Sequence, residues 1–251
     1  MPHIYSNTRR NLVWLSEDDG FTECALSSMA LILERLRQDN DDYAILEFYL
    51  FNHNGRTQKR AQFPTDLEID EGALVNFFDS GWFSRLWTVQ EVTLAPRSTC
   101  FRGNYDVPFK DILRVCGWIH YQSHFLPKLR NARNRGRLIE LLTWAGPDHA
   151  YTSYINRRPE VSHLLTSMTG IGCEDPKNHV FGILGLYEKY ISAVPPSIAP
   201  DNHASVVDVF LRATRSAMHN GRNLGILSQI SHRRGENRIG FHTWVPQLGR
   251  E

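Results

Sequence analysis

The sequence has no apolar run of the ~18 uninterrupted residues that a bilayer-crossing helix needs. Its opening residues, MPHIYSNTRR, also lack the apolar centre of a secretory leader. Both absences lead to the expectation of a protein that resides in the cytoplasm. Charge of one sign is missing too, since Lys+Arg total 28 against Asp+Glu 27. No global field is therefore available to gather nucleic acid or an anionic membrane, and neither is expected as a partner. Cysteine is scarce. Cys24, Cys100, Cys116 and Cys173 lie far apart, with no C-x-x-C pair and none of the dense spacing that staples small secreted domains. Free thiols are expected, as is the lack of any internal repeat or low-complexity tract.

What is present can fold. A chain of 251 residues, 41% of them hydrophobic, is long enough to bury a sizeable core. Asn11 to Leu15 is a short apolar run bounded by Arg9-Arg10 and by Ser16-Glu-Asp-Asp-Gly20, the pattern of a buried strand that ends in a turn. The period then changes: Leu26, Met29, Ala30, Leu33 and Leu36 predict an amphipathic helix over 22–38 behind Thr22. A second helix is expected over 43–51, a polar loop from His53 to Pro64, and another helix over 66–79. Residues 82–94 read as one buried helix ended before Pro96, followed by a strand at Ser98 to Phe101 and a helix from Val107 to Ile119. Strand, helices, strand is the grammar of an α/β unit with a parallel sheet. Further on the pattern is mostly helical: Leu138 to Leu142 lies in one helix, and Val206, Phe210, Ala213 and Ala217 define another stopped by Asn220-Gly221. The proline-rich loop at 192–201 is the best candidate for a hinge or boundary.

The stretch Trp82-Phe-Ser-Arg-Leu-Trp-Thr-Val-Gln-Glu91 raises the chemical question. A carboxylate near the end of a helix gains nothing from the macrodipole and loses ~0.3 to 1 kcal/mol at an exposed site. Desolvating it among tryptophans costs more unless a hydrogen bond or a cation holds it. Glu91 therefore needs a partner or a task. The plain reading is a structural ion pair with Arg85 or Arg97, or a surface position at the helix edge.

Trp82, Arg85, Trp87, Gln90 and Glu91 sit in the register Trp-x-x-Arg-x-Trp-x-x-Gln-Glu. With Ile4-Tyr5-Ser6 and Leu12-Val-Trp-Leu15 upstream, this resembles the latter part of the fungal heterokaryon incompatibility (HET) domain. Downstream, Asp175-Pro176-Lys-Asn-His-Val-Phe-Gly-Ile-Leu-Gly-Leu186, Leu224-Gly-Ile-Leu-Ser228 and Thr243-Trp-Val-Pro246 are similar, in the same order, to segments that commonly follow such domains. The departures are Ser16 for a glycine, Lys177-Asn178 for Arg-Asp, and Asn202 where a tyrosine would be expected near Pro200-Asp201. The family's opening motifs have no counterpart before Ile4, which implies an N-terminally truncated domain. On this resemblance residues 1–95 are the C-terminal part of a HET domain and 96–251 a mostly helical associated region. The implied function is fungal non-self recognition and programmed cell death signalling. Its partners would be proteins, either other HET-domain proteins or copies of itself. The alternative is a degenerate decoy partner of a complete HET protein.

HET domains are in turn similar to TIR domains, which implies a partial TIR-like, flavodoxin-like parallel sheet with a helical insertion. Some TIR domains cleave NAD with a glutamate in a Trp-Cys-x-x-Glu helix, and Trp87-Thr-Val-Gln-Glu91 keeps the same spacing. Residues four apart share a helical face. By this resemblance Trp87 would stack on the nucleotide while Glu91 stabilises the ribosyl cation as its glycosidic bond breaks, an electrostatic logic shared with glycosidases. With the opening strands absent, the chain alone is expected to be inactive on NAD, because positioning can be worth ~7 to 11 kcal/mol of barrier.

Other candidates are weaker. His120 and His124 have an i, i+4 spacing, but Tyr121 replaces the catalytic glutamate of zinc helices and no third ligand is evident, so no metal site is expected. Lys128, Arg130, Arg133, Arg135 and Arg137 read as a solvated helix entry or a contact for phosphate or an acidic partner. Cys100 and Cys116 lack a catalytic His-Asp neighbourhood and read as core thiols.

Overall fold

A computed structural model of the chain describes residues 2–38, 67–121, 126–130, 161–167, 171–190, 193–221, 224–230, 245–246 and 248. In chain order the regular elements are α1 (Pro2–Ser6), β1 (Asn11–Ser16), α2 (Thr22–Gln38), α3 (Glu71–Phe78), a 3-10 turn (Gly81–Ser84), α4 (Trp87–Leu94), β2 (Ser98–Arg102) and β3 (Tyr105–Pro108). They continue as α5 (Phe109–Tyr121), α6 (Pro127–Arg130), α7 (Val161–Ser167), α8 (Asn178–Phe181), α9 (Leu184–Tyr190) and α10 (Val206–Gly221), with 3-10 turns at Pro196–Ile198 and Gly225–Gln229. The fold is mixed α/β, and the later region is mostly helical, as the sequence predicts. The expected helix over 43–51, the 53–64 loop, the 138–142 helix, residues 122–125 and the basic run beyond Arg130 lie outside the described residues.

The chain divides into two compact units, each discontinuous in sequence. One comprises Asn7–Ser84 and Ala95–Tyr154, the other Met1–Ser6, Arg85–Leu94 and Ile155–Glu251.

The first unit holds the sheet, in the order β1-β2-β3. β1 and β2 are parallel from Asn11↔Ser98 to Trp14↔Phe101, with an irregularity before Ser16↔Arg102. Val13 and Leu15 face the core while Leu12 and Trp14 face out, the period of two that a one-sided sheet requires. β2 then turns back antiparallel into β3 through Gly103-Asn104. Gly103 has φ +55°, the left-handed backbone that such two-residue turns demand, and a Cβ there would fall 2.6 Å from the Asp18 Cβ. The sequence reading placed Val107 in a helix and foresaw no third strand. Pairing of Tyr105–Pro108 along β2 overrides that local preference, and the helix starts at Phe109.

α2 has the expected bounds but a rotated buried face: Ala25, Met29, Ile32 and Leu36 are buried, while Leu26 and Leu33 are only half-buried and Ala30 is exposed. α3 starts later than expected. Asp70 caps it by accepting from the Ala73 N–H at 2.9 Å, and its own N–H donates to Ser28 Oγ of α2 at 2.9 Å, so one residue fixes both the start of α3 and its seat on α2. Phe77, Phe78, Trp82, Phe83 and Phe109 then form an aromatic cluster, with Trp82 edge-on to Phe83 (5.3 Å between centroids) and to Phe109 (6.0 Å).

A charge lies beside this cluster at the C-terminal end of β2. Arg102, 5% exposed, reaches Asp19 Oδ2 at 2.5 Å and Asn76 Oδ1 at 3.1 Å, and its guanidinium stands 5.6 Å from the Phe77 ring centre. It thereby ties the loop after β1 to α3 and to β2. Replacing Arg102 with Met keeps the apolar stem but deserts three acceptors, Asp19 Oδ2, Asn76 Oδ1 and the Asn76 carbonyl, so Arg102→Met should lower the free energy of unfolding by about 2 to 4 kcal/mol. Urea denaturation measures this, and an unchanged midpoint would show that the cluster contributes nothing to stability.

Candidate functional site

The segment 82–94 is not one helix. Gly81–Ser84 is a 3-10 turn, Arg85 makes an isolated parallel bridge with Gly172, and α4 begins only at Trp87. The cause is backbone pairing: the Leu86 N–H donates to the Gly172 carbonyl at 3.2 Å rather than to a helical carbonyl. Thr88 Oγ1 donates to the Arg85 carbonyl at 2.6 Å and helps close the first turn. Consequently the motif is divided. Trp82 is a core aromatic of the sheet unit, whereas Arg85, Trp87, Gln90 and Glu91 belong to the other.

In that second unit α4 packs on α1 and on α9. Gln90 is 1% exposed, and its side-chain amide donates to the backbone carbonyl of Gly182. The glycines opposite are small for a reason: a Cβ at Gly182 would fall 2.7 Å from Leu86 Cδ2, and one at Gly185 would fall 2.7 Å from Gln90 Oε1 and 2.9 Å from Leu94 Cδ1. Lys189 Nζ donates to the Thr93 carbonyl at 2.6 Å. Two motifs some ninety residues apart are thus one packed structure. Asp175 and Pro176 shape the entrance to α8: Asp175 Oδ1 accepts from the Lys177 N–H at 2.9 Å, its carbonyl from the Asn178 N–H at 2.9 Å, and the Pro176 carbonyl from the His179 N–H at 3.1 Å. Their role here is a turn rather than chemistry.

Glu91 lies on the α4 face that meets α1. Its carboxylate accepts a hydrogen bond from the hydroxyl of Tyr5, and the charges of both Glu91 and Arg85 act on that hydroxyl. Burial first, then the Glu91 charge, push the Tyr5 phenol above its ordinary value, with Arg85 opposing. The plain reading of Glu91, an ion pair with Arg85 or Arg97 or a surface position at the helix edge, does not include the phenol. Tyr5 was visible only as part of the Ile4-Tyr5 pattern, since nothing local marks a contact across eighty-six residues. Glu91 and Trp87 are both half-buried, one turn apart on α4.

No disulfide joins the four cysteines: Cys24 is exposed, Cys100 and Cys116 are buried, and burial pushes the Cys100 thiol far up. Burial and the neighbouring Asp175 charge raise Cys173 as well, so neither is poised as a thiolate. Among the described residues no group of three His, Cys, Asp or Glu side chains is placed to hold a metal ion. No helix among them is long and apolar enough to cross a membrane.

The glutamate and tryptophan of α4 thus lie one helical turn apart, and comparison with known proteins bears on the part of the chain that ends there. Residues 1–91 match the model of the heterokaryon incompatibility protein (HET) family. The match covers the first 91 of 251 residues, closes on Glu91 itself and supports a HET domain over that span. No curated protein and no solved structure matches the chain.

Two outcomes test the site. Gly182→Ala forces a methyl against Leu86 and the Asn178 carbonyl, and should destabilise the protein by about 1 to 3 kcal/mol in thermal or urea unfolding; an equally stable variant would show that the motifs do not need this close approach. The Tyr5 phenol is held neutral by its surroundings, so its contribution to stability is complete below the unfolded value near 10.0 and is lost as pH rises through the folded value. Phenolate absorbance, assigned by difference with Tyr5→Phe, should show Tyr5 ionising at lower pH in Glu91→Gln than in the parent. An identical titration would refute the contact.

Proposed function

We propose that this chain acts as a signalling module of fungal non-self recognition whose engagement ends in programmed cell death. The observation that carries the reading is the family match over residues 1–91. Support comes from how the Trp-x-x-Arg-x-Trp-x-x-Gln-Glu segment is held: a residue of the first motif is hydrogen-bonded to the backbone of the downstream one, so the second half of the chain supports the helix that presents Glu91. Fold and packing alone do not define an activity.

A second reading, which applies to the domain completed by upstream strands, places NAD at the same helix. It is favoured by the Tyr5 hydroxyl on Glu91, which orients the carboxylate, and by Trp87 one turn away as a surface for a base or a nicotinamide. In that reading Glu91 stabilises the positive charge that develops on ribose as nicotinamide leaves. Loss of one such charge-stabilising group typically costs ~100 to 1,000-fold in turnover.

The test is expression in a fungal host, with the chain alone and fused to an oligomerising partner. Growth arrest is expected in the fused form, and its loss in Glu91→Gln would support the NAD reading when the chain completed with upstream strands also releases less nicotinamide as Glu91→Gln. Arrest that survives Glu91→Gln removes the acid from the mechanism while keeping the signalling role. Indifferent growth in both forms overturns the proposal.

A further inference from the structure

The outer side of β1 is an unusual surface. Among the described residues β1 pairs with β2 and no strand pairs with its other edge. The Asn11 N–H donates inward to the Arg97 carbonyl at 2.8 Å, and strand alternation then turns the backbone groups of Leu12 and Trp14 away from β2, toward the open edge. Their side chains are exposed as well, Leu12 by 65% and Trp14 by 53%. An open edge with two large apolar residues is a template for strand addition unless charge or proline blunts it, and the strand Asn11–Ser16 contains neither.

The charges instead flank the strand, and they do so with opposite sign. Arg9 and Arg10 precede it; Glu17, Asp18 and Asp19 follow. Arg10 is committed inside the unit, with Nε donating to Thr99 Oγ1 at 2.8 Å, but Arg9 and Glu17 are both exposed. Run antiparallel against itself with Val13 on the two-fold axis, the segment is self-complementary. Leu12 falls opposite Trp14 of the second copy and Trp14 opposite its Leu12, while Arg9 falls opposite Glu17 at both ends. The same register pairs the outward backbone groups of Leu12 with those of Trp14, which is the arrangement an antiparallel ladder requires. A parallel pairing of two identical strands would set Arg9 beside Arg9 and Glu17 beside Glu17, so charge selects the antiparallel, two-fold arrangement.

We propose that the β1 edge is a homotypic docking surface, through which a second copy of this chain adds its own β1 antiparallel and extends the three-stranded sheet across a two-fold axis. A six-residue edge is small beside the roughly 1,200 to 2,000 Å² of a stable interface, so the dimer is weak and concentration-dependent. It does not depend on the cell-death reading, because self-association is measured on the purified protein.

Sedimentation equilibrium of the full chain tests it. A reversible monomer–dimer equilibrium is expected, with Trp14→Lys abolishing the dimer while far-ultraviolet circular dichroism stays unchanged. Arg9→Glu and Glu17→Arg should each weaken association by about tenfold, since either one sets like charges face to face at both ends. The combined variant R9E/E17R restores opposite pairs and should recover the parent affinity, a rescue that a merely structural role for either residue would not give. A chain that stays monomeric at every accessible concentration overturns the proposal. So does a dimer indifferent to Trp14→Lys, or one that the double charge swap fails to rescue.

Discussion

The buried amide of Gln90, donating to the Gly182 carbonyl, is the constraint on which the helical unit depends. A glutamine desolvated between helices is costly unless its polar atoms are used, and this one uses its amide N–H on a backbone carbonyl while its Oε1 finds no partner among the described residues. That choice dictates its surroundings. For the amide to reach backbone, α4 must approach closely, and closeness excludes side chains at Gly182 and Gly185. Leu86 and Leu94 then fill the space on either side of Gln90, and Lys189 reaches back to the Thr93 carbonyl. Helix α4 has eight residues, too few to be stable alone, so its position and that of Glu91 are set by these tertiary contacts.

The sheet unit has a counterpart in Arg102. A guanidinium buried at the end of β2 holds Asp19 from the loop after β1 and Asn76 from α3, beside the aromatic cluster to which Trp82 contributes. Trp82 and Trp87, five residues apart, therefore serve different purposes: the first fills a core and the second lies half-buried on the helix that carries the acid. A motif read as one continuous helix merges these roles, and the bridge from Arg85 to Gly172 separates them.

What was legible in the sequence follows from range. The bounds of α2, the strand at Asn11–Ser16 and the helix ending at Gly221 are written in local periodicity and stop signals, and they stand as expected. The buried face of α2 was harder, because apolar residues occupy two overlapping stripes and packing against α3 and α5 decides that Ala25 and Ile32 turn inward. β3 and the break at Arg85 were illegible for a stronger reason. Both result from backbone pairing with a strand or a residue elsewhere, and such pairing overrides local propensity. Of the candidate site, Trp87 and Glu91 stand out through the resemblance to HET and TIR domains, and their spacing only places both on one helical face. The part of Tyr5 could not be read, since its tie to Glu91 exists only once α1 lies on α4.

That tie also alters what the acid means. An exposed Arg–Glu pair contributes little and fixes little, because two long side chains keep most of their freedom. A phenol is stiffer, with only two rotatable bonds, and a hydroxyl offers one directed proton. Tyr5 is therefore a directed partner for the Glu91 side chain, which a long arginine alone would not be. Arg85, close enough to act on the same hydroxyl, opposes the effect of Glu91 on it. Because the phenol comes from α1 and the acid from α4, their contact constrains how the Glu91 side chain leaves its helix, and no local signal within α4 supplies that constraint.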